Sequence, residues 1–436
     1  MKTAIGIRRE DKNQWEKRTP IIPSHAGEFI NDHNIDIQVQ PSSIRIFTDQ
    51  DFQREGAWIK EDLSECQVIF ALKEIPQNFF NKNKTYLFFS HTIKGQKHNM
   101  PMLKRMMELE CTLIEYEKIT NENGIRLVFF GTQAGKAGMI ETLAAYGRRL
   151  AHEGIPNPFT AIEQPYVYQS LVEAKEIIKK VGWDIHEKGL PHSMVPLICG
   201  IAGYGHSSKG AQEILDLLPV EEIQARNMAD FMKQKNFSSN RVYKIVFKEE
   251  DMVEPVSPGK KFDLQNYYSN PGHYRSIFDK YLPYLNILVN CIYWTEDYPR
   301  FVTKSSLRDL FTQEKSPNLK VIGDVSCDIQ GSIECSLKIT TPSEPVYVFD
   351  PLSERVTDGI EGRGVVVMTI DNLPAEIPLE SSVFFSETLK PYVPQIARAD
   401  YKTVFKKCQL PDPIKKAVIL YQGELAPDFE YMKKFL

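Results

Sequence analysis

Residues 198–215 read Ile198-Cys-Gly-Ile-Ala-Gly-Tyr-Gly-His-Ser-Ser-Lys-Gly-Ala-Gln-Glu-Ile-Leu215, an apolar run that breaks into glycines and resumes with helical spacing. The pattern predicts a strand, a tight turn and a helix. Gly203 suits the turn. Gly205 lets backbone approach a pyrophosphate, whose charge would rest against the positive N-terminal end of the helix that follows. Ser208 stands where a third glycine is usual and is small enough for close packing of helix on strand; Gly210 follows two residues later. A nicotinamide dinucleotide is the cofactor implied, and a β-α turn without a ligand is the competing reading of these residues alone.

A chain of 436 residues is too long for one core and suits two or three domains. The formal net charge of -4, with Lys and Arg scattered, offers no basic footprint for nucleic acid. The first residues, Met-Lys-Thr-Ala-Ile-Gly-Ile-Arg-Arg-Glu10, meet charge too early for a signal peptide, and no run of about 18 apolar residues predicts a membrane span. A cytoplasmic location is expected. Seven cysteines without a CxxC pair read as buried thiols in a reducing compartment, not as a zinc site or a catalytic thiol.

Outward from the glycine turn, short β-rich runs alternate with helical stretches. Strands are expected over residues 3–7, 35–39, 68–72, 85–89, 112–116 and 126–130, a rhythm that argues for an α/β layer with a largely parallel sheet. Ligands bind at the carboxyl ends of such strands, which makes Lys73, His91 and Glu117 candidates by position. Residues 133–152 predict one long helix rich in small residues, followed by a second helix over 169–181. Residues 219–225 predict the second strand of the dinucleotide fold. Its tip holds Glu222, Gln224 and Arg226: an acid there would bind the ribose 2′-hydroxyl of NADH, whereas Arg226 beside neutral Gln224 favours the 2′-phosphate of NADPH. Residues 235–283 are expected to form loops and short helices, and strands to resume at 287–291, 320–325, 346–349 and 364–370.

Ile5-Gly-Ile-Arg-Arg-Glu10, Trp15-Glu-Lys-Arg-Thr-Pro20, Leu72-Lys-Glu74, Phe88-Phe-Ser-His-Thr-Ile-Lys94, Gly203-Tyr-Gly205, Ser208-Lys-Gly-Ala-Gln212, Asp324-Val-Ser-Cys-Asp328 and Asp371-Asn-Leu-Pro374 occur in order over nearly the whole chain. This set resembles the alanine dehydrogenase and saccharopine dehydrogenase superfamily, and within it the lysine-ketoglutarate reductase domain. The resemblance implies two doubly wound α/β domains with an active-site cleft between them. One is a discontinuous catalytic domain over 1–131 and 374–436, the other a Rossmann-type cofactor domain over 132–373. It also implies the reaction: the ε-amine of L-lysine condenses with the ketone of 2-oxoglutarate, and NADPH reduces the imine to saccharopine. The chain is expected to be too short for the saccharopine-oxidising domain of bifunctional enzymes, and to act as a monomer or homo-oligomer without nucleic-acid or membrane partners.

Losing the carbonyl oxygen as water requires proton transfer near neutral pH, and the resemblance puts His91 in that role. Lys73 joins it if burial or nearby cations lower its pKa, with Glu117 positioning and tuning it. Arg18 and Arg126 match carboxylate-binding positions, where a guanidinium grips an oxo diacid through paired hydrogen bonds. Asp328 matches an aspartate beside nicotinamide and substrate, with Asp324 as the alternative. Gly203, Tyr204, Gly205 and Ser208, together with Asp371, Asn372 and Leu373 after the last cofactor-domain strand, complete the cofactor set. Two other readings stay open: an NAD-dependent, lysine-forming saccharopine dehydrogenase or other amino-acid dehydrogenase, and a dinucleotide-binding subunit of transhydrogenase type that needs neither His91 nor Lys73.

Overall fold

Short apolar runs, too short for helices, pair into two eight-stranded sheets and one two-stranded ribbon. The computed structural model describes residues 3–436. They form two compact units, one made of the residues up to Phe130 together with Pro378–Leu436, the other of Gly131–Ile377. In the first, Thr3–Ile7 (β1), Ile35–Val39 (β2), Trp58–Ile59 (β3), Val68–Phe70 (β4), Thr85–Phe88 (β5) and Thr112–Glu115 (β6) lie parallel in the order β3-β2-β1-β4-β5-β6. Every residue of β4, β5 and β6 is buried, as expected of strands covered on both faces. The strand order reverses between β1 and β4, and the crevice at such a reversal is where open α/β sheets bind ligands.

In the second unit the chain forms Leu197–Ala202 (β7), Val220–Glu222 (β8) and Val242–Phe247 (β9), then a separate antiparallel pair, Val253–Pro255 (β10) and Tyr274–Ser276 (β11). Ile287–Asn290 (β12), Val321–Asp324 (β13), Val346–Asp350 (β14), Arg355–Asp358 (β15) and Val365–Met368 (β16) follow. The main sheet runs β15-β14-β16-β13-β12-β7-β9-β8, parallel except for β14 and β15. Two expectations are corrected here. β9 lies in the stretch expected to hold only loops and short helices, and it sits between β7 and β8, so that β8 is the edge strand. Lys244 interrupts the apolar run of β9 and hides it; in the fold its ammonium reaches Asp216 at 2.8 Å and Glu222 at 3.3 Å.

Helix α1, Gly131–His152, packs against helix α2, His206–Leu215, with almost no space between the backbones. A Cβ on Gly135 would stand 1.8 Å from the Ser207 carbonyl oxygen, and one on Gly210 would stand 2.1 Å from that of Thr132. Deeper along α1, Glu141 is buried and accepts a hydrogen bond from Arg148 at 2.8 Å. Glu376, in the short turn Leu373–Glu376, is also buried, and neither of its carboxyl oxygens has a hydrogen-bond partner among the described residues. Burial raises the pKa of both carboxyls, and the charge of Glu141 raises that of Glu376 further.

The chain then returns to the first unit through the helix Pro378–Leu389 and adds two strands antiparallel to their neighbours, Val418–Tyr421 (β17) beside β6 and Glu424–Leu425 (β18) beside β17. Each sheet is therefore mixed rather than wholly parallel, within a two-unit α/β fold. The strand expected over residues 126–130 does not form, because β5 and β17 already occupy both sides of β6. That segment instead doubles back on itself: Leu127 donates to the Ile119 carbonyl and Asn121 to that of Ile125, each at 2.9 Å, around a turn at Gly124. Among the described residues no helix is long and apolar enough to cross a membrane.

Candidate active site

Four strand ends of the first unit carry its polar side chains. β1 runs into Arg8-Arg9-Glu10, β4 into Leu72-Lys73-Glu74, β5 into Ser90-His91, and β6 ends at Glu115, two residues before Glu117. Lys73 and His91 thus stand beyond neighbouring strands, and Glu74 links this region together: His91 Nδ1 lies 2.7 Å from Glu74 Oε1, and Lys12 donates to Oε2 at 2.8 Å. Burial works against ionised Glu74, but the hydrogen bonds from His91 and Lys12 outweigh it and hold the carboxyl well below the usual range. With Nδ1 on Glu74, His91 has Nε2 for a reactant. His91 itself has a left-handed backbone, φ 49°, a conformation that costs a non-glycine residue roughly 1–2 kcal/mol.

Lys73 is half-buried, and its pKa is lowered, first by loss of solvent and then by Arg18 and Lys12, against the opposing charges of Glu16 and Glu74. Arg18 is buried, lies over the ring of Phe130 at 4.9 Å, and makes a two-pronged contact with Glu16 at 2.7 and 2.6 Å. The bidentate grip expected for a substrate is thus made to a protein carboxylate. Glu117, expected beside Lys73, instead faces Arg126 at 3.4 Å, while Arg126 also donates to the Val128 carbonyl at 3.4 Å. Glu74, Glu16 and Lys12 were not among the expected site residues. Glu74 and Glu16 stand within the motifs Leu72-Lys-Glu74 and Trp15-Glu-Lys-Arg-Thr-Pro20, one and two positions from Lys73 and Arg18, and that placement is the signal the sequence offers for them.

The residues expected to bind the cofactor all lie in the second unit. Gly203 follows β7 directly with φ 93°, a backbone that side-chain-bearing residues rarely adopt. A Cβ at Gly205 would meet nothing within 4 Å, so backbone is open to an approaching group just where α2 begins. Exposed Tyr204 points its hydroxyl to Glu249 at 3.4 Å, and buried Ser208 accepts from the Gln212 amide at 3.0 Å. A cavity of about 600 Å³ next to this turn is lined by Tyr204, Lys209, Gln212, Gln224, Arg226 and Lys248, among others. The tips of both β8 and β9 reach it. Glu222 also borders this cavity, with its carboxylate drawn to Lys244. Lys248 follows β9 in the stretch expected to hold loops, which is why the expected cofactor set lacks it. The glycine turn, the helix N-terminus and the cations at the strand tips fit a dinucleotide carrying a pyrophosphate.

Asp324, at the end of β13, is buried and accepts from Asn290 at 2.9 Å, from the Cys327 backbone at 3.2 Å and from Ser336. Burial pushes its pKa up to about 6. Its oxygens serve the fold, while Asp328 is half-buried in the loop that follows, where its carbonyl accepts from Gly331 at 2.8 Å. Beyond β16, Asp371 is exposed, Asn372 half-buried and Leu373 buried.

The chain matches the family model of the alanine dehydrogenase/PNT N-terminal domain over residues 6–137 and that of the C-terminal domain over residues 295–428. It is 36% identical to an alpha-aminoadipic semialdehyde synthase of Arabidopsis thaliana, a match that covers 99% of this chain and 41% of the relative. It is 28% identical to the saccharopine dehydrogenase [NAD(+), L-lysine-forming] of Emericella nidulans, over 93% of this chain and 95% of the relative. The chain therefore spans less than half the length of the plant protein. Its fold is similar to that of an L-alanine dehydrogenase of known structure, with a TM-score of 0.63 at 16% identity and 99% coverage of both chains. With both domain models matched in order and a relative aligned along almost all of its length, this chain belongs to the alanine dehydrogenase and saccharopine dehydrogenase superfamily of nicotinamide-dinucleotide-dependent oxidoreductases.

Proposed function

We propose that the chain catalyses the NADPH-dependent reductive condensation of L-lysine with 2-oxoglutarate to saccharopine. The observation that carries this reading is the convergence of Lys73, His91 and Glu74 at neighbouring strand ends. When bound, NADPH supplies hydride to the imine carbon. His91 Nε2 gives a proton to the oxygen that leaves as water, and Glu74 on Nδ1 fixes the ring. Lys73 Nζ, its pKa lowered, takes the proton released from the attacking amine. Arg126 and Arg18 face the carboxylates of 2-oxoglutarate, and Glu16 must then share Arg18 with the substrate. Gly203, Tyr204, Gly205 and Ser208 cradle the pyrophosphate, while Asp371, Asn372, Leu373 and Asp328 belong to the nicotinamide end.

NADPH oxidation is expected only when lysine and 2-oxoglutarate are present together, with a product of the mass of saccharopine. Equal turnover with ammonia in place of lysine would overturn this reading in favour of an ordinary amino-acid dehydrogenase. The E. nidulans relative, matched along nearly its whole length, favours a second reading, a saccharopine dehydrogenase that works with NAD and forms lysine. The cofactor arm separates the two. Arg226→Asp removes a phosphate partner and supplies an acceptor for a ribose hydroxyl, so the ratio of NADPH to NADH efficiency is expected to fall about 10- to 100-fold, the worth of charge-assisted hydrogen bonds. An unchanged ratio would move cofactor discrimination from Arg226, in the short turn Ala225–Asn227 after β8, to Lys248 at the tip of β9.

A further inference from the structure

Two buried carboxyls stand behind the strand ends that carry the reacting side chains, and the chemistry above uses neither. Glu10 accepts the backbone N–H of Leu72 on one oxygen at 2.7 Å and that of Lys73 on the other at 2.9 Å. Glu115 does the same one layer over. Its Oε2 accepts the N–H of Ser90 at 2.8 Å, as well as the Ser90 hydroxyl, and its Oε1 accepts the N–H of Glu117 at 3.1 Å. Glu115 is wholly buried and Glu10 nearly so. Among the described residues no cationic side chain hydrogen-bonds to either.

A carboxyl placed there is costly, because burial without an ion-pair partner disfavours its charge. Burial raises the pKa of both, that of Glu10 to about 7 with a further push from Glu16 and an opposing one from Arg8. What each carboxyl offers in return is geometric. Its two oxygens at fixed separation satisfy two N–H groups at once, which a single hydroxyl or one amide oxygen cannot do in the same way. The N–H groups so held are those of Lys73 itself and of Ser90, the residue before His91. The left-handed backbone at His91 needs such restraint, and Asn99 supplies the rest by donating to the His91 carbonyl at 3.2 Å.

We propose that Glu10 and Glu115 are positioning residues for the reaction, each acting as a two-pronged acceptor that sets the backbone from which Lys73 or His91 reaches its reactant. This rests on the assignment of proton transfer to Lys73 and His91. Glu10→Gln and Glu115→Gln keep the side-chain shape but turn an NH₂ toward one of the N–H groups, donor against donor. Displacing a reacting group by about an ångström costs up to roughly 10²-fold. Each variant is therefore expected to lose about 10- to 100-fold in kcat, with the KM for NADPH unchanged.

The deciding measurement is a pair of double-mutant cycles. Glu10→Gln placed on Lys73→Met, and Glu115→Gln placed on His91→Gln, should each cause no further loss, since the group being positioned is already gone. A full multiplicative loss in those backgrounds, or unchanged kcat in the single variants, overturns the proposal. Full turnover in Lys73→Met and His91→Gln alone would instead sink the assignment on which it rests. If either Gln variant does not fold, the amide protons of Leu72, Lys73 and Ser90 in the unaltered protein decide by NMR. Downfield positions that move with ionisation of the acceptor support the clamp, and positions insensitive to pH overturn it.

Discussion

Lys73→Met and His91→Gln are each expected to lower turnover about 10²- to 10⁴-fold, the usual worth of a positioned acid or base. The expectation rests on how the two side chains are held. Lys73 is half-buried and its pKa is lowered, so it can shed a proton that a solvated lysine would keep. His91 is oriented through Nδ1 by Glu74, which Lys12 holds in turn. Methionine keeps the length of the lysine stem without the amine, and glutamine keeps a polar tip without a titrating nitrogen. NADPH affinity should change little, because the glycine turn and the cavity next to it belong to the other unit. Steady-state kinetics and fluorescence titration of NADPH on each variant check this. Unchanged turnover refutes the roles; turnover and cofactor binding lost together reveal a damaged fold.

Gly135→Val should unfold the second unit well below the melting temperature of the parent and weaken NADPH binding with it. A Cβ at this position would stand 1.8 Å from the Ser207 carbonyl oxygen and 2.8 Å from the Ala211 nitrogen, both backbone atoms that cannot rotate away. α1 and α2 must then separate, leaving the contact around Gly210 empty and shifting the start of α2, where the glycine turn ends. Forcing bulk into such a contact costs about 3 kcal/mol or more, which in a unit of this size lowers Tm by roughly 6–12 °C. Differential scanning calorimetry reads the loss. Gly124→Ala, in a turn where a Cβ would meet nothing within 4 Å but φ is 75°, serves as a mild comparison. If Gly135→Val melts within a degree of the parent, the two helices do not pack as described.

Strand positions were largely legible because parallel strands buried on both faces leave short apolar runs bounded by polar clusters, as at Val68–Phe70 and Val365–Met368. Local pattern does not suffice where a single residue or a neighbour's prior claim decides the outcome. Lys244 masked β9, since nothing local shows that Asp216 and Glu222 will meet a buried ammonium. Residues 126–130 have a strand's composition, yet β17, nearly 300 residues later, takes the only edge they could have used. The site shows the same division. That Lys73, His91 and Glu117 follow strands could be read from local pattern, but partnerships could not. Glu74 meets a histidine 17 residues away, Arg18 turns to Glu16, and Glu117 faces Arg126. Which carboxylate faces which cation is set by strand order, and strand order is a property of the whole chain.

The buried pair Glu141 and Glu376 makes the proton a ligand of the folded chain. Both carboxyls have raised pKa values in the fold, whereas an unfolded chain would release their protons near pH 4.5. Below that pH the folded and unfolded states are both protonated and the pair costs nothing. As pH rises the unfolded chain gives up two protons that the fold retains, and stability falls until the folded carboxyls also ionise. Glu376→Gln, which leaves one carboxyl beside Arg148, is therefore expected to raise the Tm at pH 8 by several degrees and to leave it nearly unchanged at pH 4.5; equal shifts at both would refute the linkage. Glu141 lies on the helix that begins as the chain enters the second unit, and Glu376 lies just before it leaves. The stretches of the second unit nearest its two connections to the first thus share a sensitivity to rising pH, and the section of polypeptide that carries the glycine turn is the one whose cohesion that rise would loosen.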